Sequence, residues 1–194
     1  LSRADLGGAL NTRELMDIAR VLQCARLVRG YIADDSVGKT CIDHLFYALR
    51  ANKFLEEKIS TSVVGEDEIA DSASPELANI RRQMRAAAAR ARDALQKIIS
   101  SPSYAKVLQE PIITMRSDRY VVPVKAECRA ELPGLVHDTS SSGATIFVEP
   151  MGVVQANNEL KELEAKEKKE IERILFALSA EAAGFSEAIL WDYD

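Results

Sequence analysis

Residues 111–150 read PIITMRSDRYVVPVKAECRAELPGLVHDTSSSGATIFVEP, and they interrupt an otherwise helical pattern. Ile112-Ile113-Thr114-Met115 and Tyr120-Val121-Val122-Pro123-Val124 are short β-favouring runs, with Ser117-Asp118 between them suited to a hairpin turn. Gly134-Leu135-Val136-His137 and Thr145-Ile146-Phe147-Val148 form a second pair, joined through the turn Ser140-Ser141-Ser142-Gly143. Pro123 cannot donate to a ladder, so it is expected at an edge or a bulge. Four short strands make a sheet too small to be robust alone.

Long helical segments flank this insert. On the N-terminal side, Ser74 is an N-cap and Pro75 occupies the first helical position. Leu77, Ile80, Met84, Ala87, Ala91, Ala94 and Ile98 then follow a three-four spacing, a heptad seam narrowed by alanine. Ser101-Pro102 starts a short helix towards Leu108. On the C-terminal side, Val153, Leu160, Leu163, Ile171, Ile174 and Leu178 carry a helical stripe to about Ala183. Its waist, Glu164 to Glu170, has only alanine as an apolar residue and is expected to be exposed on most sides. A helix of about thirty residues spans roughly 45 Å.

Further upstream, Asn11 caps a helix from Thr12 to Ile32, with Glu14 completing a capping box. Leu15, Ile18, Leu22 and Ala25 form its stripe. A second helix is expected over Ile42–Ile59, with Ile42, Leu45, Leu49 and Leu55 on one side, and Thr61 to Ser74 reads mainly as a connection. The fold class is therefore mainly α with a small antiparallel β insert. Residues 1–74 form a helical base, 75–110 an ascending helix, 111–149 the β-rich insert, and 150–194 a descending helix returning to the base. The two long helices are expected to run antiparallel as an arm with the insert at its tip.

Composition excludes several classes. The chain has 194 residues, 47% of them hydrophobic, with nine Gly and six Pro, which does not suit a disordered polypeptide. It has no run of apolar residues long enough for a transmembrane helix and no signal pattern. Cys24, Cys41 and Cys128 are widely spaced and fit neither a disulfide framework nor a zinc site, which suits a reducing cytosol. His44 and His137 leave little for metal chemistry. The net charge of −5 argues against a broadly basic surface but leaves room for a local one. Leu1 in place of Met suggests a piece of a longer protein.

Candidate sites separate quickly. Ala33–Thr40 fits a loose phosphate-loop pattern with Ala for the first Gly. The segment before it is helical, Asp34 and Asp35 would repel phosphate, and no later strand supplies a magnesium ligand. It reads as an interhelical loop with Lys39 solvated. Ser140–Ser142 beside His137 and Asp138 does not form a relay, because neighbours on a strand point to opposite faces. Glu149 before Pro150 reads as a helix cap. Arg116, Arg119, Lys125 and Arg129 lie on or beside the insert and are candidates for sequence-independent phosphate contact, diluted by Asp118, Glu127, Glu131 and Asp138. Arg81, Arg82, Arg85, Arg90 and Arg92 offer either a second basic surface or, the favoured reading, partners for the acids Glu159, Glu162, Glu164 and Glu167. Asn157 and Asn158 suit either a register-setting place in the seam or the surface.

A set of words in order carries a family resemblance: Asp71-Ser72-Ala73-Ser74-Pro75-Glu76-Leu77, Arg119-Tyr120-Val121-Val122-Pro123-Val124-Lys125, Gly134-Leu135-Val136-His137-Asp138, Ser142-Gly143-Ala144-Thr145-Ile146-Phe147-Val148-Glu149-Pro150 and Asn157-Asn158-Glu159-Leu160. The sequence resembles the second bacterial branch of MutS paralogues, the MutS-two family, most strongly from about Asp71 to Leu175. The resemblance implies the core, helical lever and clamp of a dimeric ATPase that closes around nucleic acid. ATP and Mg2+ would belong to an ATPase domain beyond Asp194, and an Smr nuclease-type domain further still; no cofactor is implied for residues 1–194 themselves. The implied partners are branched DNA in recombination control or collided ribosomes in translation quality control, with a homodimer in the full-length protein, no membrane, and a bacterial cytoplasmic setting. Arg119, Lys125 and His137 fall on the clamp, with Arg119 and Lys125 as leading phosphate contacts and Arg116 and Arg129 as secondary ones. The competing reading is a structural coiled-coil scaffold that binds protein through the three-four seam.

Overall fold

In chain order the helices are α1 (Ser2–Asp5), α2 (Thr12–Tyr31), α3 (Asp43–Ala48), α4 (Lys53–Ser62), α5 (Pro75–Ile99), α6 (Met151–Ala183) and α7 (Ser186–Tyr193). The strands are β1 (Val63–Gly65), β2 (Glu68–Ile69), β3 (Thr114–Arg116), β4 (Arg119–Lys125), β5 (Gly134–Thr139) and β6 (Thr145–Pro150). The structure is a computed structural model and describes residues 1–31 and 40–193. The phosphate-loop-like stretch Ala33–Thr40 lies outside the described residues except for Thr40. The fold is mainly helical with two small antiparallel sheets. The chain divides into two compact units, Leu1–Ala78 with Lys168–Asp194, and Asn79–Glu167.

In the first unit, Leu15 and Leu22 of α2, Leu55 and Ile59 of α4, Leu77 of α5, Leu178 of α6 and Ile189 of α7 share one core. Asn11 caps α2 as the sequence predicts: its side chain accepts the Glu14 N–H at 2.8 Å, and its own N–H donates to the Glu14 carboxylate at 2.8 Å. The Ser74 Oγ accepts the Leu77 N–H at 2.9 Å and donates to Glu170 at 2.6 Å. Glu170 also receives a two-pronged contact from Arg173, which with the Ser74 bond outweighs burial and holds its carboxyl at about 2.

Three expectations are corrected here. The helix over Ile42–Ile59 is broken into α3 and α4, because Leu49 is extended and the Asn52 side chain starts a new helix by accepting the Leu55 N–H at 3.0 Å. Ile42 and Leu45 are consequently exposed rather than aligned with buried Leu55. The connection after Thr61 contains the β1–β2 hairpin, which buries Val63 and Ile69 in the core. A residue shift within that short pairing hides it from any alternation pattern.

The second unit holds the insert. Its sheet has the order β3-β4-β6-β5, all antiparallel. Ser117 and Asp118 both have positive φ, 51° and 57°, the geometry of the two-residue hairpin turn expected there. Val122, Val124, Ile146 and Val148 face Ala91 and Leu95 of α5 and Val153 of α6. Pro123 is corrected from an edge to β4, which has partners on both sides. It pairs with Phe147 on β6, and on the other flank β3 has already ended. There the Gln109 N–H donates to the Pro123 carbonyl at 3.0 Å, so the residue gives an acceptor where no donor is needed. The Ser101-Pro102 start yields only a single 3-10 turn, Pro102–Tyr104.

Within this unit α5 and α6 pair antiparallel, with Arg81 on Glu167 at 2.6 Å and Arg90 on Glu159. Ile80 and Ala87 of α5 meet Leu160 and Leu163 of α6, so the chain's own helix fills the alanine-narrowed seam. Ala87 has no exposed surface, and a larger side chain has no room to enter. Ala87→Leu is expected to lower stability by about 1–3 kcal/mol, read as a lower urea midpoint at an unchanged slope.

Candidate nucleic-acid interface

Alternation along β4 places Arg119, Val121, Pro123 and Lys125 on one face of the sheet. On β6 the neighbouring side chain is Glu149, a carboxylate with no solvent exposure. The Arg119 Nη1 donates to both Glu149 oxygens, at 2.7 and 3.0 Å, and its Nη2 donates to Asn158 Oδ1 at 2.7 Å. His137 arrives by a register slip. Val136 pairs with Val148 and Asp138 with Phe147, so His137 is the extra residue of a bulge. Its Nε2 donates to Glu149 Oε2 at 2.5 Å.

The third partner comes from α6. Asn157, fully buried, donates from Nδ2 to Glu149 at 2.7 Å and to the Tyr120 carbonyl at 3.1 Å, and accepts the Tyr120 N–H at 3.2 Å. The pairing of β4 with β6 reaches only to Val122, so Tyr120 has no ladder partner on that side. The Asn157 amide stands in for such a partner, since it offers the same donor and acceptor as a peptide group. Burial alone would push the Glu149 carboxyl up. The bonds from Asn157, His137 and Arg119, with the Arg119 charge, outweigh it and hold the group below the ordinary carboxylate range. No buried side-chain nitrogen or oxygen lacks a partner among the described residues.

Gly134 completes the arrangement. A Cβ there would lie 2.3 Å from the Glu149 carbonyl oxygen, so only glycine lets β5 approach β6 beside the buried carboxylate. Glu149 is thus corrected from a helix cap to the centre of a buried polar cluster. Asn157 is buried against the sheet, on Glu149 and Tyr120, rather than set in the seam between the long helices, and Asn158 reaches Arg119 from the exposed side.

The four basic candidates separate by environment. The Arg119 guanidinium faces inward to Glu149, with a side-chain exposure of 20%. Arg116 stacks over Phe147 at 4.0 Å and meets Asp138 at 3.2 Å. Lys125 sets its ammonium on the Lys106 carbonyl at 3.0 Å, at the sheet's exposed margin. Arg129 is exposed in the 3-10 segment Ala126–Glu131. The hydroxyls of Ser140 and Ser142 face each other at 3.3 Å in an exposed turn, with no base beside them.

Comparison with known proteins places the chain. It is 50% identical over 185 residues to Endonuclease MutS2 of Ruminiclostridium cellulolyticum, covering 94% of this chain and 23% of that protein. The chain belongs to the MutS2 family. Endonuclease MutS2 of Acetivibrio thermocellus is 49% identical over 193 residues, covering 97% of this chain and 24% of the relative. That of Agathobacter rectalis is 43% identical over 196 residues, covering all of this chain and 25% of the relative. This chain therefore spans about a quarter of the length of the MutS2 proteins it matches. No family model matches it. No single helix among the described residues is long and apolar enough to cross a membrane.

Among the described residues no three His, Cys, Asp or Glu side chains group as a metal site. Thr40, the described end of the phosphate-loop-like stretch, directs its hydroxyl to Asp43.

The Glu149 cluster predicts an acid limb. Its folded-state carboxyl lies below its ordinary value of 4.5, so its contribution is complete above about pH 4.5 and is lost as pH falls through the depressed value. Urea unfolding of the parent and of Glu149→Gln at several pH values should show a shallower acid slope in the variant. Arg119→Met, which leaves the carboxylate without its cation, should cost about 3 kcal/mol and move the limb to higher pH.

Proposed function

We propose that this chain supplies a non-catalytic, nucleic-acid-embracing part of a MutS-like dimeric ATPase of the bacterial cytoplasm. Membership of the MutS2 family is the observation that carries this reading. The insert supports it by presenting Lys125 and Arg129 outward while Arg119 is turned inward. In this account Lys125 and Arg129 contact phosphate, with Arg116 beside them on Phe147. Arg119 is a positioning residue that holds β4 against α6. Such contacts read no sequence, so they suit a target recognised by shape, such as branched DNA or the RNA of a collided ribosome. The scaffold reading loses its motive, because α6 already occupies the seam on α5.

The test reverses charge at Lys125 and Arg129 together, in the full-length protein. Affinity for forked DNA is expected to fall and the log–log salt slope to shrink by about 2, with helicity unchanged. A parallel measurement with ribosomes distinguishes the two targets. Binding to both that keeps the parent's affinity and salt slope would place the contact elsewhere.

A further inference from the structure

The insert's sheet carries an aromatic ring that no hydrophobic core uses. Pro123 pairs with Phe147 and Lys125 with Thr145, so these four side chains lie on the sheet face opposite Val122, Val124, Ile146 and Val148. Phe147 is half-buried there, and among the described residues it packs into none of the buried hydrophobic clusters. Its ring is covered instead by Arg116, whose guanidinium carbon lies 4.0 Å from the ring centre. Arg116 belongs to β3, two strands away in the order β3-β4-β6-β5, so its side chain lies across β4 to reach the ring.

The guanidinium is fixed at its edges. Its Nε meets Asp138 at 3.2 Å and its Nη1 donates to the Met115 carbonyl at 2.8 Å. A guanidinium donates in its own plane, so these contacts occupy its rim and leave its two faces for stacking. One face rests on Phe147. The side chain keeps 38% of its surface exposed, on the side away from the ring. Asp138 also offsets the Arg116 charge, which weakens it as a phosphate contact and leaves its flat face as the part available to a ligand. Phe147 and Arg116 thus form a stack of two planar groups whose outer layer faces solvent.

We propose that the Phe147–Arg116 stack takes an unpaired nucleobase, so that the insert selects nucleic acid with bases exposed at a junction or loop. This deepens the reading of the insert as a nucleic-acid contact and rests on it. Bases in a uniform duplex are covered on both faces by their neighbours, whereas an unpaired base presents a free face to an aromatic ring or an arginine plane. Such stacking accepts any base, which agrees with contacts that read no sequence. Lys125 supports a nucleic acid over a planar group of a protein partner. It stands on the same face, opposite Thr145, two residues or about 7 Å along β6 from Phe147. The backbone phosphate of a stacked nucleotide is within reach of a cation so placed.

The test compares, in the full-length protein, a short single-stranded DNA, its RNA counterpart and a DNA of equal length whose sugars carry no bases. The parent should bind the base-bearing strand about tenfold more tightly than the abasic one. Arg116→Lys keeps the charge and loses the plane, and Phe147→Leu removes the ring beneath it. Each should bring the base-bearing strand down to the abasic affinity, with the salt slope and circular dichroism unchanged. Lys125→Glu with Arg129→Glu should instead weaken both strands alike, so failure of the phosphate contacts and failure of the stack are read from different variants. The tighter of the DNA and RNA strands assigns the source of the base. Equal affinity of the parent for base-bearing and abasic strands, or a base preference retained in Arg116→Lys, would overturn the proposal. So would a loss of self-association in Arg116→Lys with the base preference intact, which would give the stack to a second copy of the protein.

Discussion

One buried carboxylate organises the second unit. Glu149 lies at the end of β6, one residue before the strand's last, and has no contact with solvent. An unpaired charge there would be untenable, so its partners are obligatory rather than decorative. They come from β4 (Arg119), β5 (His137) and α6 (Asn157). One side chain therefore ties together three strands and the helix that follows them. This matters because four short strands have little stability of their own. The apolar side of the sheet is supplied by Ala91, Leu95 and Val153, and the polar side by this cluster.

The consequence for function is a division of labour among basic residues that look alike in sequence. Arg119 and Lys125 stand at the two ends of the same strand and on the same face. The first is charge-matched from within and acts on the fold; the second reaches the sheet's margin, where its ammonium sits on the Lys106 carbonyl. An Arg suits the first place because one arm of its planar fork meets the Glu149 carboxylate while the other reaches Asn158.

Long features were legible in the sequence, and so was their chemistry. The Asn11 and Ser74 caps, the α6 stripe from Val153 to Leu178 and the Ser117-Asp118 turn each follow from local rules that act over a few residues. The break at Leu49 was not legible, because the apolar residues on both sides keep helical spacing and only the Asn52 cap marks the restart. The β1–β2 hairpin escaped because its few residues shift register. The role of Glu149 was hidden for a different reason: it depends on a bulge at His137 and on Asn157, eight residues further along, and neither relation has a local signature. The one local clue was Gly134, whose need for glycine arises from close approach to the Glu149 backbone.

The central claim is that Glu149 and Asn157 act as one unit that fixes the sheet to α6. A double-mutant cycle on Glu149→Gln and Asn157→Ala, with unfolding free energies from urea titration near neutral pH, measures it directly. A coupling energy of about 1–3 kcal/mol is predicted, since both side chains share one buried network. Single effects that simply add would contradict the account.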